Sequence, residues 1–220
     1  MSSKILIGKH TLESLTSGMY SDPFVVYREY VQNAVDSIDA AVRKGLLKSG
    51  EEKVIVHLTP VENIVSIRDN GIGIPSKDPE IVLISIGNSK KTSDTSRGFR
   101  GIGRLSGLSY CKTLSFFTSF SGEKVATRIT IEADKLAMLL SDNSFDISVK
   151  EVLSKVYSIE MVPEKSSAHY FEVELNGIDM QYGLCDFEKV KEYVSQNIPV
   201  PYKPDFAWGK EIINRIRREG

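Results

Sequence analysis

Apolar positions recur at intervals of three and four between residues 25 and 41, where Val25, Val26, Val31, Ala34, Val35, Ile38 and Ala41 fall on one side of a 3.6-residue period. The pattern predicts a long helix over residues 23–47. Asp22 can cap its free amides, Pro23 fits its first turn, and Gly45 and Gly50 bracket its exit. A shorter helical segment is expected before it, at residues 12–19. Strict alternation of apolar and polar residues then takes over at 53–58 and 63–68 around a turn containing Pro60, which reads as a hairpin with one buried face. Asp78 and Pro79 open a predicted helix over 78–86. A polar loop follows at 87–100, and another helix is expected from the glycines beyond it to about Tyr110. Residues 113–120 and 125–131 form a second predicted hairpin around Ser121-Gly122-Glu123, followed by a helical turn near 133–140. The pattern weakens over 141–166. Strands are expected at 156–162 and 170–175, and helices at 187–196 and 210–218.

Three groups of polar and glycine positions interrupt this pattern. In the long helix, Glu29, Asn33 and Asp36 return to nearly the same azimuth, because residues four and seven apart share a helical face. That stripe is either a solvated edge or the wall of a site. At the end of the second predicted strand stands Asp69-Asn-Gly71-Ile-Gly73-Ile74. A carboxylate there can accept a hydrogen bond from an exocyclic amine, and glycines let the backbone approach a flat ring without a Cβ clash, which suits an adenine edge. Asp-Asn-Gly is also ordinary turn chemistry. The third group, Gly98-Phe-Arg100-Gly101-Ile102-Gly103, opens a predicted helix, where exposed amides and the helix dipole favour a phosphate. Its spacing is not the dinucleotide fingerprint, and the chain has no Gly-Lys-Ser/Thr phosphate loop, so the two commonest nucleotide folds are disfavoured.

Composition changes the picture mainly by exclusion. The 220 residues, 41% hydrophobic, can bury one sizeable core. With 28 Lys plus Arg against 29 Asp plus Glu, a net charge of −1 gives no whole-chain case for nucleic acid or membrane. Cys111 and Cys185 have no metal-ligand spacing and are too few for a disulfide framework, which suits a reducing cytoplasm. The opening MSSKILIGKH lacks the apolar core expected of a signal peptide, and no uncharged apolar run approaches membrane-spanning length, so a soluble, cytoplasmic chain is expected. His10, His57 and His169 read as structural or surface residues.

The order and separation of EYVQNAVD, DNGIGI and GFRGIG resemble the GHKL ATP-binding superfamily of gyrase, ninety-kilodalton heat-shock chaperones, histidine kinases and MutL. The resemblance covers roughly residues 25–110. It implies a Bergerat-type α/β two-layer sandwich, with a mixed, mostly antiparallel sheet covered by helices on one face. It further implies an ATP-binding domain over residues 1–180, with 181–220 as a helical extension leading from PVPY at 199–202 towards a downstream region. By the same resemblance Asn33 is the Mg2+ ligand, Glu29 the general base and Asp36 a supporting group. Asp69 is the adenine-binding carboxylate and Gly73 the glycine beneath the base, with Gly71 and Ile74 of the same turn also binding the nucleotide. Gly98, Gly101 and Gly103 are the phosphate-cradling amides, Arg100 and Ile102 of the same stretch also bind the nucleotide, and Lys90 or Lys91 neutralises phosphate charge. Histidine kinases generally lack a glutamate at the Glu29 position, so the chaperone and MutL branches fit better. The chaperone branch usually places Gly-Thr near the position of Ser167-Ala168-His169 in this chain, just before the strand at 170–175, which leaves Ser167 as the candidate second adenine contact. The function implied is slow Mg2+-dependent ATP hydrolysis that gates a conformational or dimerisation clamp, with ATP and ADP, a second copy, and a protein client or downstream domain as partners. The alternatives are a nucleotide-gated interaction module with negligible turnover and a protein histidine kinase. Nucleic acid could be met only locally, through Arg97, Arg100 and Arg104.

Overall fold

The computed structural model describes residues 21–48, 50–84, 103–141 and 149–198. The long helix is α1, Val25–Arg43. Asp22 Oδ1 accepts from the Phe24 amide at 2.9 Å, while the next three amides fold back on the carbonyls of Asp22, Pro23 and Phe24. The helix stops at Arg43 rather than near residue 47. Gly45, at φ +71°, donates to Val42 while Leu46 donates to Ala41, a paired closure that turns the chain out of the helix.

Hairpin β1 (Val54–Thr59) and β2 (Ile64–Asp69) and hairpin β3 (Thr113–Ser119) and β4 (Val125–Glu132) form where alternation predicts them. Helices α2 (Ala133–Ser141) and α3 (Val149–Val156) follow, then β5 (Tyr157–Pro163) and β6 (Tyr170–Asn176). A single 3₁₀ turn, Met180–Tyr182, leads to α4 (Phe187–Asn197), which Asp186 caps through the amides of Glu188 and Lys189.

The six strands lie in the order β1-β2-β6-β3-β4-β5, and every described pairing is antiparallel. Among the described residues the sheet is therefore not mixed: β6 inserts between the two hairpins and runs opposite to both neighbours, which leaves no parallel pair there. Two predicted α-helices are also tighter or wider than expected. Residues 80–84 form one π turn (Glu80–Ile84), which brings both Leu83 and Ile84 into the core while the Leu83 carbonyl accepts from Arg104 Nε at 3.0 Å. Gly103–Ser109 is a 3₁₀ helix packed along α1. The helices predicted at 12–19 and 210–218, and the loop over 87–100, lie outside the described residues.

One sheet face carries the core. Val65, Ile67, Leu114, Phe116, Ile129, Ile131, Val173 and Leu175 meet Val26, Tyr27, Tyr30 and Val31 of α1, Leu136 of α2 and Val152 of α3 in one cluster. Leu184, Cys185, Val190 and Ile198 belong to it too, and Tyr193 of α4 packs its ring 5.6 Å from that of Phe24. The opposite face is polar: Arg68 pairs with Glu172 at 2.8 Å and lies 3.7 Å over the Tyr170 ring, and Arg128 covers Phe117. Both cysteines are free and buried. No described helix is long and apolar enough to cross a membrane.

Candidate functional site

Asp69 ends β2 on the core side, in register with Val65 and Ile67, and only 3% of its surface is exposed. Its Oδ1 accepts from the Gly71 amide at 2.7 Å and from Ser37 Oγ at 3.1 Å. Burial pushes its pKa up to about 7, against the pull of those two hydrogen bonds, of the Arg68 charge and of the Phe171 amide. The carboxyl group therefore titrates near neutrality. A ligand donor would favour the ionised form, whereas a ligand acceptor would require the proton.

The turn after Asp69 is held on several sides. Ile72 donates to the Ser37 carbonyl at 3.1 Å, and Ile74 donates to Thr118 Oγ1 at 2.8 Å. Asn70 accepts from the Lys53 amide and donates to the Glu51 carbonyl, each at 2.8 Å. His169 Nδ1 lies 2.8 Å from the Gly71 carbonyl, so that nitrogen carries the proton. Glycine is required at 73, where φ is +67° and a Cβ would stand 1.9 Å from the Ser119 carbonyl oxygen. At 71 a Cβ would stand 2.1 Å from Ser37 Oγ.

The other end of the site lies two turns back along α1. Glu29 is partly exposed, with Oε1 3.3 Å from Arg28 Nη2. Its Oε2 would be only 2.1 Å from a Cβ on Gly103, so the carboxylate rests against the first residue of the glycine helix. That helix is fixed to α1 by Tyr30, whose hydroxyl accepts from the Gly107 amide at 2.9 Å. Burial raises the pKa of the Tyr30 hydroxyl and keeps it neutral. Arg104, the next residue, turns inward to Leu83, and burial lowers its pKa to about 10.

Asn33 lies half-buried on α1, one turn after Glu29 and one before Ser37. Asp36 accepts from Gln32 Nε2 at 3.4 Å along the same helix. Gly71, Gly73 and Ile74 gather with Asp69 at one end, and Gly103 meets Glu29 at the other. Ser167 lies in the loop before β6, which lines a cleft of about 420 Å3 together with Asp69, His169 and Tyr170. Lys90, Lys91, Gly98, Arg100, Gly101 and Ile102 lie outside the described residues.

Sequence reasoning missed Ser37, Thr118, His169 and Tyr30. Ser37 carries a signal, since it continues the interval of four from Glu29 through Asn33. Thr118 carries another, as a polar residue on the strand face that Leu114 and Phe116 make apolar. His169 has no signal beyond its place before β6.

The donor set suits a purine nucleotide with its metal. A buried acceptor could receive an amine, glycines leave room for a ring, and a carboxylate and an amide share a helical face. Among the described residues no three His, Cys, Asp or Glu side chains converge as a metal cage. That is compatible with Mg2+, which commonly takes one or two protein ligands and completes its shell with phosphate and water. No curated protein matches the chain. Residues 20–158, which contain α1, the Asp69 turn and the glycine helix, match the histidine kinase-, DNA gyrase B- and HSP90-like ATPases, and the chain belongs to that family.

Proposed function

We propose that the chain binds ATP with Mg2+ and hydrolyses it slowly, as an ATPase of the HSP90-like or MutL-like kind. The observation that carries this reading is the contact of Glu29 Oε2 with Gly103, because it sets a carboxylate against the glycine helix at the far end of the stripe that reaches Asp69. Glu29 and Ser37 are eight residues apart on α1, about 12 Å at helical rise. That span suits a base at one end and a terminal phosphate at the other.

In this reading Asp69 accepts from the adenine amine, and the turn from Gly71 to Ile74 lies beneath the ring. Asn33 holds the metal, which neutralises phosphate charge when bound. Glu29 takes the proton of the attacking water, a role worth about 100- to 10,000-fold in rate. Lys90, Lys91, Gly98, Arg100, Gly101 and Ile102 supply the remaining phosphate contacts, and ATP binding drives two copies together until hydrolysis releases them.

Incubation with Mg2+ and ATP labelled at the terminal phosphate tests the reading. Free phosphate should accumulate with the native chain and fall about 100-fold or more in Glu29→Ala, while that variant still binds ATP. Label retained on the protein would replace hydrolysis with phosphate transfer. Binding without either product would replace it with a nucleotide-gated module.

A further inference from the structure

We propose that Ser37 is a positioning residue for the base-binding site, its hydroxyl engaging one oxygen of Asp69 so that the other is presented to the amino group of the base. The proposal rests on the ATP-binding reading above. Ser37 grips the Asp69 turn twice: Oγ donates to Asp69 Oδ1 at 3.1 Å, and its carbonyl accepts from Ile72 at 3.1 Å. The Gly71 amide also falls on Oδ1, at 2.7 Å, so both of these hydrogen bonds to the carboxylate spend the same oxygen. The approach explains Gly71, since a Cβ there would stand 2.1 Å from Ser37 Oγ and 2.6 Å from its carbonyl carbon.

Serine inside a helix commonly bonds back to its own preceding turn and weakens the helix slightly. Here the hydroxyl leaves α1 for the neighbouring strand. With Glu29 and Asn33 it completes a row at intervals of four, so one rigid helix sets the distance between the two ends of the site. Other charged or titratable groups around Asp69 are Arg68 beside it on β2, and Lys53, Glu164, His169 and Tyr170 around the adjoining cleft. The Ser37 hydroxyl is the contact from α1, and its donation favours the ionised carboxylate that an amine requires.

Carboxyl-carbon NMR titration of Asp69 in the free chain, with ATP affinity measured between about pH 6 and 9, tests the assignment. In Ser37→Ala the Asp69 midpoint should rise by about one pH unit, from the loss of one hydrogen bond to a charged group. ATP should then bind about fivefold more weakly near pH 7, about tenfold more weakly near pH 6, and close to normally near pH 9. Ser37→Thr, which keeps the hydroxyl, should retain the native midpoint and serves if the alanine variant does not fold. Equal weakening at every pH, or an unmoved midpoint in a chain that binds ATP, overturns the Ser37 role and leaves the nucleotide reading standing. A native chain that binds no ATP at any pH overturns both.

Discussion

Replacing Gly103 with alanine should damage chemistry far more than folding, because the obstacle its methyl meets is the end of a flexible side chain. The new Cβ would stand 2.1 Å from Glu29 Oε2 and 3.1 Å from its Cδ. Ordinary contact needs about 3.5 Å, so the oxygen must retreat by roughly 1 Å or more. Glu29 can rotate outward, since its side chain is 22% exposed and, among the described residues, is bonded only to the exposed Arg28, at 3.3 Å. The cost to the fold is then that of a shifted rotamer, about 1 kcal/mol. A misplacement of about 1 Å at the reacting group can cost about 100-fold in rate, or roughly 2.7 kcal/mol of transition-state stabilisation. Single-turnover hydrolysis should therefore fall about 100-fold, with ATP affinity and the apo melting temperature close to native. Because Glu29 mediates the whole effect, adding Gly103→Ala to Glu29→Ala should cost little more. An unchanged rate, or two losses that multiply, would refute the coupling of Glu29 to the glycine helix.

Gly73→Ala should do the opposite. Its Cβ meets the backbone carbonyl of Ser119 at 1.9 Å and its φ is +67°, so nothing flexible can yield, and the urea midpoint should drop by several kcal/mol's worth. A near-native midpoint would show that the turn is not held against β3 as described. Asp69 gives a stability prediction with a definite sign. Its pKa is about 7 in the fold against an ordinary 3.8, so the folded chain holds the proton more tightly than the unfolded chain does. The resulting stabilisation is full below about pH 4 and is lost as pH rises through 7, a span on the order of 4 kcal/mol. Asp69→Asn, which cannot ionise, should be more stable than the native chain near pH 8, indistinguishable near pH 4, and unable to bind ATP. A stability gap that is the same at both pH values would refute the burial argument.

What the chain declares locally, the structure keeps. α1, both hairpins, β6 and α4 stand within a few residues of their predicted bounds, because each carries a sustained period and a turn or cap at its end. Where local patterns are short the expectation is incomplete. β5 stands within one residue of its predicted bounds, but α3, eight residues long and running directly into that strand with no turn residue between Val156 and Tyr157, has no room to establish a helical period and is not anticipated. The placement of β6 between β2 and β3 is a long-range event, decided by which apolar faces meet, and no local signal encodes it.

The site divides in the same way. Glu29, Asn33, Asp69 and the glycines are legible because their spacing is unusual within one element, whereas Thr118 and His169 matter only through contacts with a turn some 45 and 98 residues away in sequence. A sharper criterion was nevertheless present in the chain. On β2 the core face reads Val65, Ile67, Asp69, and on β3 it reads Leu114, Phe116, Thr118, so each strand ends its apolar row with one polar group. A polar side chain on a buried face is costly unless it finds a partner. Two such groups in register, Asp69 and Thr118 both opposite Phe171, place that cost at one end of one sheet, which is where the glycine turn and α1 converge on them.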